Sequence, residues 1–440
     1  MDFDALLHDR KFGLCDCNNF FVSCERTVNP ELEGLPVVVL SSNDGCVVSR
    51  SNEAQALKIP MGAPYFQYKA FFRTHNVQIC SGNIPLYQEL SHKVMDVLSE
   101  YTDKLEQYSV DEAFFNLAIV SITDPEAYCL KIRSEILRRC KIPVSIGISP
   151  NRTLSKLAAE YAKKHSETDG VFWFDKSRYG SAEFMSQFAL SDIWGIGRQN
   201  VKRLQAAGIT DMNRLTAMDE AEAKTKFGTP MLTTIWALQG KAAEHKTRDK
   251  NAVRKSIQVS RSFGEKITEY AELLDALQNF VVSAARQLRE AKSGAKKLRI
   301  YIRSGNYANR EYQSTEAEFD TPQNLDAVLM SAVRKMLDEI YVPGIAYTKA
   351  GIEIPFLCSQ AECAQELLFR QSDERRTNAE KAADSINREL GVSAMKPAQL
   401  YSAPDKTMRW RPKKEHGCEN KQKKLRDTSG MRFASRAEDV

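Results

Sequence analysis

The 440-residue chain has only six histidines and no Cys-x-x-Cys pair. Its ten cysteines are scattered: Cys15 and Cys17 alternate in an apolar run, and four residues separate Cys358 from Cys363. This argues against a structural zinc site and reads as reduced thiols in a cytosolic protein. No apolar run reaches the about 18 residues of a membrane span. The start, MDFDALLHDRK, lacks a basic n-region and an apolar h-region, so it does not read as a secretory signal. No internal repeat is visible. What remains is an ordinary globular composition, and at about 100–200 residues per domain it predicts two to four domains.

The net charge of +5 hides an uneven distribution. Lys241–Arg310 carries 16 Lys and Arg against 7 Asp and Glu, and Pro404–Val440 carries 11 against 6, which leaves the rest of the chain acidic. Such asymmetry is a footprint of nucleic-acid contact. A solvated basic face gives the same counts, so charge alone does not decide.

Strand and helix patterns alternate up to about residue 175. FGLCDCNNFFVSC (12–24) predicts a strand running into a helix, and PVVVLSS (36–42) a short buried strand followed by a turn and a helix. Helical spacing recurs over 85–101 and 125–140, IPVSIGIS (142–149) is a further strand, and 151–165 is a helix with Asn151 as N-cap. The pattern predicts an α/β core, a sheet covered by helices. LSDIWGIGRQNVKRLQAAGI (190–209) reads as two short helices around Gly195-Ile196-Gly197, and helical signals continue to about Lys241. Residues 240–256 read as a charged linker. Residues 257–350 form a small βαβ-like unit, and the polar tail beyond about residue 356 reads as loosely ordered.

In YSVDEAFFNL (108–117) two acids, Asp111 and Glu112, sit inside an otherwise apolar strand or hairpin. Burying two carboxylates without partners is costly, and adjacent like charges resist ionising together. Bound cations resolve both problems. Asp16, at the end of the apolar FGLC run, supplies a third carboxylate at a strand end. Three such acids have the composition of a two-metal site, and Mg²⁺ prefers their oxygens to nitrogen or sulphur. Phe20 and Phe21 follow directly, either as core or as rings against a nucleotide. Arg50, Lys58, Arg152, Lys156, Lys163 and Lys164 lie at helix starts or on one face, where they could hold phosphate oxygens or stay solvated. WGIGRQNVKRL has the form of a helix-hairpin-helix whose backbone N–H groups face a DNA phosphate, with Arg198, Lys202 and Arg203 adding charge. QELLF (365–369) places apolar residues in a polar tail, as a docking peptide does.

Taken together, CDCNNFF, PVVVLSSNDGCVVSRSNEA, YSVDEAF, SIGISPNRTLSKLAA, DIWGIGR and SRSFGE resemble the Y-family DNA polymerases, most closely their UmuC-type catalytic subunits, from about Phe12 to residue 350. The resemblance implies an α/β, multidomain right-hand polymerase. Its palm (1–25 and 79–185) has an α+β form. Small fingers (26–78), a helical thumb with the helix-hairpin-helix (186–245), a βαβ-like little finger (250–350) and a flexible tail (356–440) complete it. It implies that Asp16 and Asp111 bridge two Mg²⁺ ions, that Glu112 holds the ion at the primer 3′-OH, and that the Cys17 carbonyl assists. Phe20 would pack on the incoming dNTP, Phe21 would act as the steric gate against a ribose 2′-OH, and Lys163 would bind the triphosphate. Where many members carry a Tyr and an Arg, this chain has Asn52 and Gln55, with Arg50 as the substitute. Gly195, Gly197, Arg198, Lys202 and Arg261 would contact primer–template DNA. Gln365, Leu368 and Phe369 would dock on a sliding clamp, and a UmuD-like dimer and a RecA filament are implied partners. The implied activity is error-prone translesion synthesis in the cytoplasm, within SOS mutagenesis. The rivals are a non-catalytic DNA-binding scaffold of the same fold, which need not keep all three acids, and a palm-type nucleotide cyclase, which needs neither the glycine hairpin nor the basic region.

Overall fold

The apolar run FGLCDC forms β1 (Phe12–Cys17), buried along nearly its whole length, in a computed structural model that describes residues 12–117, 124–175, 179–241, 255–305, 310–359, 374–390, 395–397, 400, 409 and 416. Two units divide the chain, Met1–Arg248 with His416–Val440 and Asp249–Glu415. In the first, β1 is followed by α1 (Phe20–Val28), β2 (Val37–Leu40), β3 (Val47–Arg50), α2 (Asn52–Ala56), α3 (Tyr65–Thr74), β4 (Gln78–Ser81) and α4 (Ile84–Ser99). Then come β5 (Leu105–Gln107), β6 (Glu112–Asn116), α5 (Pro125–Cys140), β7 (Val144–Ser149), α6 (Arg152–Lys164) and β8 (Val171–Trp173).

β1 is the middle strand of a five-stranded sheet ordered β5-β6-β1-β7-β8, in which only β7 and β8 run parallel. Because side chains alternate along a strand, the sheet has two distinct faces. Cys15, Cys17, Ala113, Phe115, Ile146 and Ile148 join one core cluster with Leu90, Val94, Ile132 and Ile136 of α4 and α5. Leu14 and Phe114 cluster instead with Ala159 of α6. Helix α6 starts where the Asn151 side chain accepts the Leu154 N–H at 3.0 Å, the N-cap expected there. It lies close on β7 because position 147 is glycine: a Cβ there would stand 2.1 Å from the Ser155 carbonyl oxygen.

A smaller sheet, β3-β2-β4, combines a β2/β3 antiparallel pair with a β2/β4 parallel pair and packs on Phe72 of α3. The other face of α6, with Leu154, Leu157, Ala158 and Ala162, shares a core with a run of short helices. These are α7 (Ala182–Met185), α8 (Arg198–Ala206), α9 (Met212–Thr216), α10 (Glu220–Phe227) and α11 (Thr229–Leu238). One expectation is corrected here. The first arm of the hairpin is a single 3-10 turn, Leu190–Asp192, because the Asp192 carboxylate accepts the Ala189 N–H and Ile193 returns to extended backbone.

The second unit comprises β9 (Ile257–Ile267), α12 (Tyr270–Glu290), β10 (Ser293–Gly305), β11 (Arg310–Gln323), α13 (Asp326–Ile340), β12 (Tyr347–Ile354), β13 (Leu357–Ser359) and α14 (Glu374–Leu390). Its sheet, β11-β10-β12-β9, is antiparallel throughout, with α12 and α13 packed on one face. Topologically this is a βαββαβ unit, twice the βαβ motif expected. The tail is also not uniformly loose, since α14 docks through Arg289. That guanidinium, 4% exposed, pairs with Asp326 at 2.9 Å, Glu380 at 3.0 Å and Asp384 at 2.6 Å. A buried guanidinium needs such neutralisation, and acids one helical turn apart supply it. No helix among the described residues is long and apolar enough to cross a membrane.

Gly147→Ala should destabilise the protein by about 3 kcal/mol in urea melts, because the added methyl meets helix backbone rather than a side chain that can turn away.

Candidate active site

Strand register brings the first two acids together. Asp16 at the end of β1 lies opposite Glu112 at the start of β6, on the sheet face covered by α6. Asp111 precedes β6 in the hairpin turn, where its carbonyl accepts the Cys17 N–H at 2.9 Å. The Ser109 hydroxyl organises that turn: it donates to the Asp111 carboxylate and accepts the Glu112 N–H at 3.0 Å.

Two lysines of α6 complete the site. Lys163 Nζ is 2.7 Å from Asp16 Oδ2 and 3.2 Å from Glu160 Oε1. Lys156 Nζ donates to both Glu112 oxygens, at 2.7 and 3.0 Å. Positions seven apart are two helical turns apart, so both lysines face the sheet. Burial pushes the Asp16 carboxyl up to about 7, against the pull of Lys163 and with a smaller upward push from Glu112. Burial alone would lower the Lys163 ammonium, but the Asp16 and Glu160 carboxylates hold it above the ordinary lysine value. Burial also raises the Cys15 and Cys17 thiols well above normal, so at neutral pH they are neutral and do not compete as thiolate ligands.

Among the described residues no three acidic, histidine or cysteine side chains converge to hold one ion as they stand. Lys163 and Lys156 each hold one of the carboxylates. The donor set still fits a hard divalent cation: the three carboxylates are all oxygen donors, and two of them already hold a positive charge.

The remaining predicted residues fall into two groups. Near the acids, Asn19, in the left-handed conformation, turns the chain from β1 into α1 and donates to Asn52 at 2.9 Å, while Gln55 donates back to Asn19 at 3.1 Å. Arg50 is tied to the Ile59 carbonyl. Phe21 is half-buried and stacks on Tyr87, with centroids 4.4 Å apart and planes at 15°. Phe20 is 3% exposed and shares the α1 core face with Cys24, one helical turn on.

Farther along, Gly195 needs its glycine, at φ +89°, whereas Gly197 has ordinary backbone and open space where a Cβ would stand. Arg198 and Lys202 are exposed on α8, and Arg261 is exposed on the edge strand β9 of the second unit. Gln365, Leu368 and Phe369 lie outside the described residues.

Sequence reasoning missed the Tyr87 backing of Phe21 and the Glu25 that accepts the Tyr87 hydroxyl at 2.7 Å. Nothing near Phe21 in the chain signals either. It also read Lys156 only as a phosphate-binding or solvated cation, although the seven-residue spacing to Lys163 puts both on one helix face.

Two family models match the chain, the impB/mucB/samB family over residues 15–160 and its C-terminal domain over residues 254–368. The UmuC protein of Salmonella typhimurium is 34% identical, covering 92% of this chain and 96% of its own. The chain belongs to this family. It is a Y-family polymerase of the UmuC type, and membership implies dependence on a divalent cation. SamB of Salmonella typhimurium is 31% identical over 86% of this chain and 90% of its own, and the DNA polymerase IV of Treponema denticola is 25% identical over 89% and 97%. Among solved structures, a Y-family DNA polymerase chimera of Dbh shares the fold with a TM-score of 0.60 at 20% identity, covering 78% of this chain and 98% of its own. An insertion ternary complex of Dbh DNA polymerase does so with 0.53 at 19% identity, covering 79% and 99%. The fold is thus that of a right-hand polymerase.

Asp16 titrates higher in the folded than in the unfolded chain, so the folded state holds its proton more tightly. Its ionisation therefore costs stability as pH rises from the ordinary 3.8 to about 7. A carboxylate must lose its proton before it ligates a cation, so a ligand role for Asp16 predicts that Mn²⁺ binding to the DNA-free protein tightens by up to about tenfold per pH unit below 7 and levels off above it. Asp16→Asn should abolish the slope in a calorimetric titration.

Proposed function

We propose that this chain is an error-prone translesion DNA polymerase that adds deoxynucleotides to a primer 3′-OH opposite damaged template. The observation that carries the reading is the cross-strand pairing of Asp16 with Glu112 beside Asp111, with two of these acids already neutralised by cations, in a chain of the UmuC-type family. Asp16 and Asp111 would hold both of two Mg²⁺ ions, Glu112 the one beside the 3′-OH, and the Cys17 carbonyl the nucleotide's. When bound, such a pair lowers the pKa of the attacking hydroxyl and neutralises the departing pyrophosphate.

The chain's own groups do the rest. Lys163, once off Asp16, would pair with triphosphate oxygens, and Arg50 would add a second cation by leaving the Ile59 carbonyl. Asn52 and Gln55, linked through Asn19, offer amide hydrogen bonds where many family members place a Tyr and an Arg. Phe21, held flat by Tyr87, is a rigid ring that would collide with a ribose 2′-OH. Phe20 supports it from the core.

We assign the palm to residues 1–25 and 79–185, the fingers to 26–78, the thumb to 186–245 and the little finger to 250–350. The fingers hold only the β2/β3 pair and short helices, so they would test base-pair shape weakly, and the site would accept distorted templates. The amides around Gly195 and Gly197, with Arg198 and Lys202, would hold DNA phosphates, and the open space at Gly197 leaves room for one. Arg261 on its edge strand would add a further phosphate contact. The sliding clamp, a UmuD-like dimer and a RecA filament are proposed partners, and the cytoplasm is the proposed compartment for SOS mutagenesis.

Primer extension across an abasic site with Mg²⁺ tests the reading. Wild-type protein, with clamp, UmuD-like partner and RecA supplied, should extend past the lesion, and Glu112→Ala should lose on the order of 100-fold or more of that rate. Equal extension by both proteins would refute it.

A further inference from the structure

Lys156 has a setting that triphosphate binding does not explain. Its ammonium donates to both oxygens of Glu112, at 2.7 and 3.0 Å, and the pair is largely screened from water, with side chains 21% and 13% exposed. Two aromatic rings flank the same nitrogen. The Tyr108 centroid lies 5.3 Å away and the Trp194 centroid 5.7 Å, both inside the about 6 Å reach of a cation–π contact. The rings brace each other edge to face at 5.4 Å, and Trp194 also leans on Phe114 at 5.9 Å. Tyr108 belongs to the hairpin that carries Asp111. Trp194 directly precedes Gly195, whose left-handed backbone makes the turn of the glycine hairpin.

We infer that Lys156 is a built-in counter-ion for Glu112 in the metal-free enzyme, caged by Tyr108 and Trp194 so that its release is tied to the glycine hairpin. The inference rests on the metal-site reading and adds a regulation to it. Both Glu112 oxygens are taken by one ammonium, and a divalent cation on the same oxygens would face a positive charge at about 3–4 Å, so the two occupants exclude each other. Lys156 therefore competes with the metal. Whatever shifts the Gly195 turn shifts Trp194 with it and loosens the cage. Engagement of the hairpin by DNA would then favour metal loading at Glu112, leaving the free enzyme poorly loaded and the DNA-bound enzyme well loaded. Lys156 acts through Glu112 and is a positioning residue.

The test is a Mn²⁺ titration of the full-length, DNA-free protein, with free Mn²⁺ read by electron paramagnetic resonance. Lys156→Gln should bind Mn²⁺ about tenfold more tightly than wild type, because the competing half-buried cation is gone. Lys156→Arg, which keeps the charge, should stay close to wild type. Trp194→Leu should tighten binding by a smaller factor, and primer–template DNA should narrow the gap between wild type and Lys156→Gln. If Lys156→Gln binds no tighter than wild type while Glu112→Gln has lost a Mn²⁺, the counter-ion role is wrong and the metal site stands. If Glu112→Gln binds Mn²⁺ as wild type does, the metal reading of Glu112 fails and the counter-ion role fails with it.

Discussion

Two ammonium–carboxylate pairs, Lys163 with Asp16 and Lys156 with Glu112, are the constraint around which the first unit is organised. A sheet that ends in three acids cannot close a helix over that end unless positive charge comes with it. Helix α6 brings that charge. Its lysines face the acids, and its opposite face supplies Leu154, Leu157 and Ala162 to the core of the short helices beyond. One helix thus covers the sheet, neutralises the site and joins it to the hairpin region.

The close fit of α6 follows from small residues. Gly147 lets helix backbone touch strand backbone, and Ser155 bonds back to the Phe12 carbonyl at 2.9 Å. At the far end of the helical layer, the Asn151 side chain donates to the Ala237 carbonyl at 2.8 Å. The helix that sets the lysines is therefore anchored to both neighbouring layers, so the ammonium positions are fixed by packing rather than by long, mobile side chains alone. The steric side of the site is built in the same way. Phe21 gets its orientation from Tyr87, and Tyr87 from a hydrogen bond to buried Glu25. In the second unit, Arg289 plays the comparable part by holding α14 against α12 and α13 through three acids.

Much of this is legible in the sequence because it is written in local period. The alternation in FGLCDC and the acids interrupting SVDEAFF are enough to locate β1, β6 and the acids that meet at their ends. The helix over Arg152–Lys164 and its cap at Asn151 are equally plain. What cannot be read depends on contacts between distant segments. The spacing of Lys156 and Lys163 says that they share a face, but not that the face meets the acids. Phe20 and Phe21 look equivalent in the chain, and only the packing of α1 sends one ring inward and leaves the other on Tyr87. The polar tail conceals α14, because its docking rests on Glu380 and Asp384 meeting one buried arginine rather than on an apolar stripe.

The central claim is that Asp16 and Glu112 exchange lysine ammoniums for metal ions. It is tested most directly by a crystal structure with Mn²⁺, primer–template DNA and an unreactive nucleotide, using anomalous scattering to locate the metal. The account predicts Mn²⁺ peaks against Asp16, Asp111 and Glu112, with the Lys156 ammonium withdrawn from Glu112 and Lys163 turned to the triphosphate. Both lysine pairs intact, with Mn²⁺ bound elsewhere beside a correctly placed primer end, would contradict it.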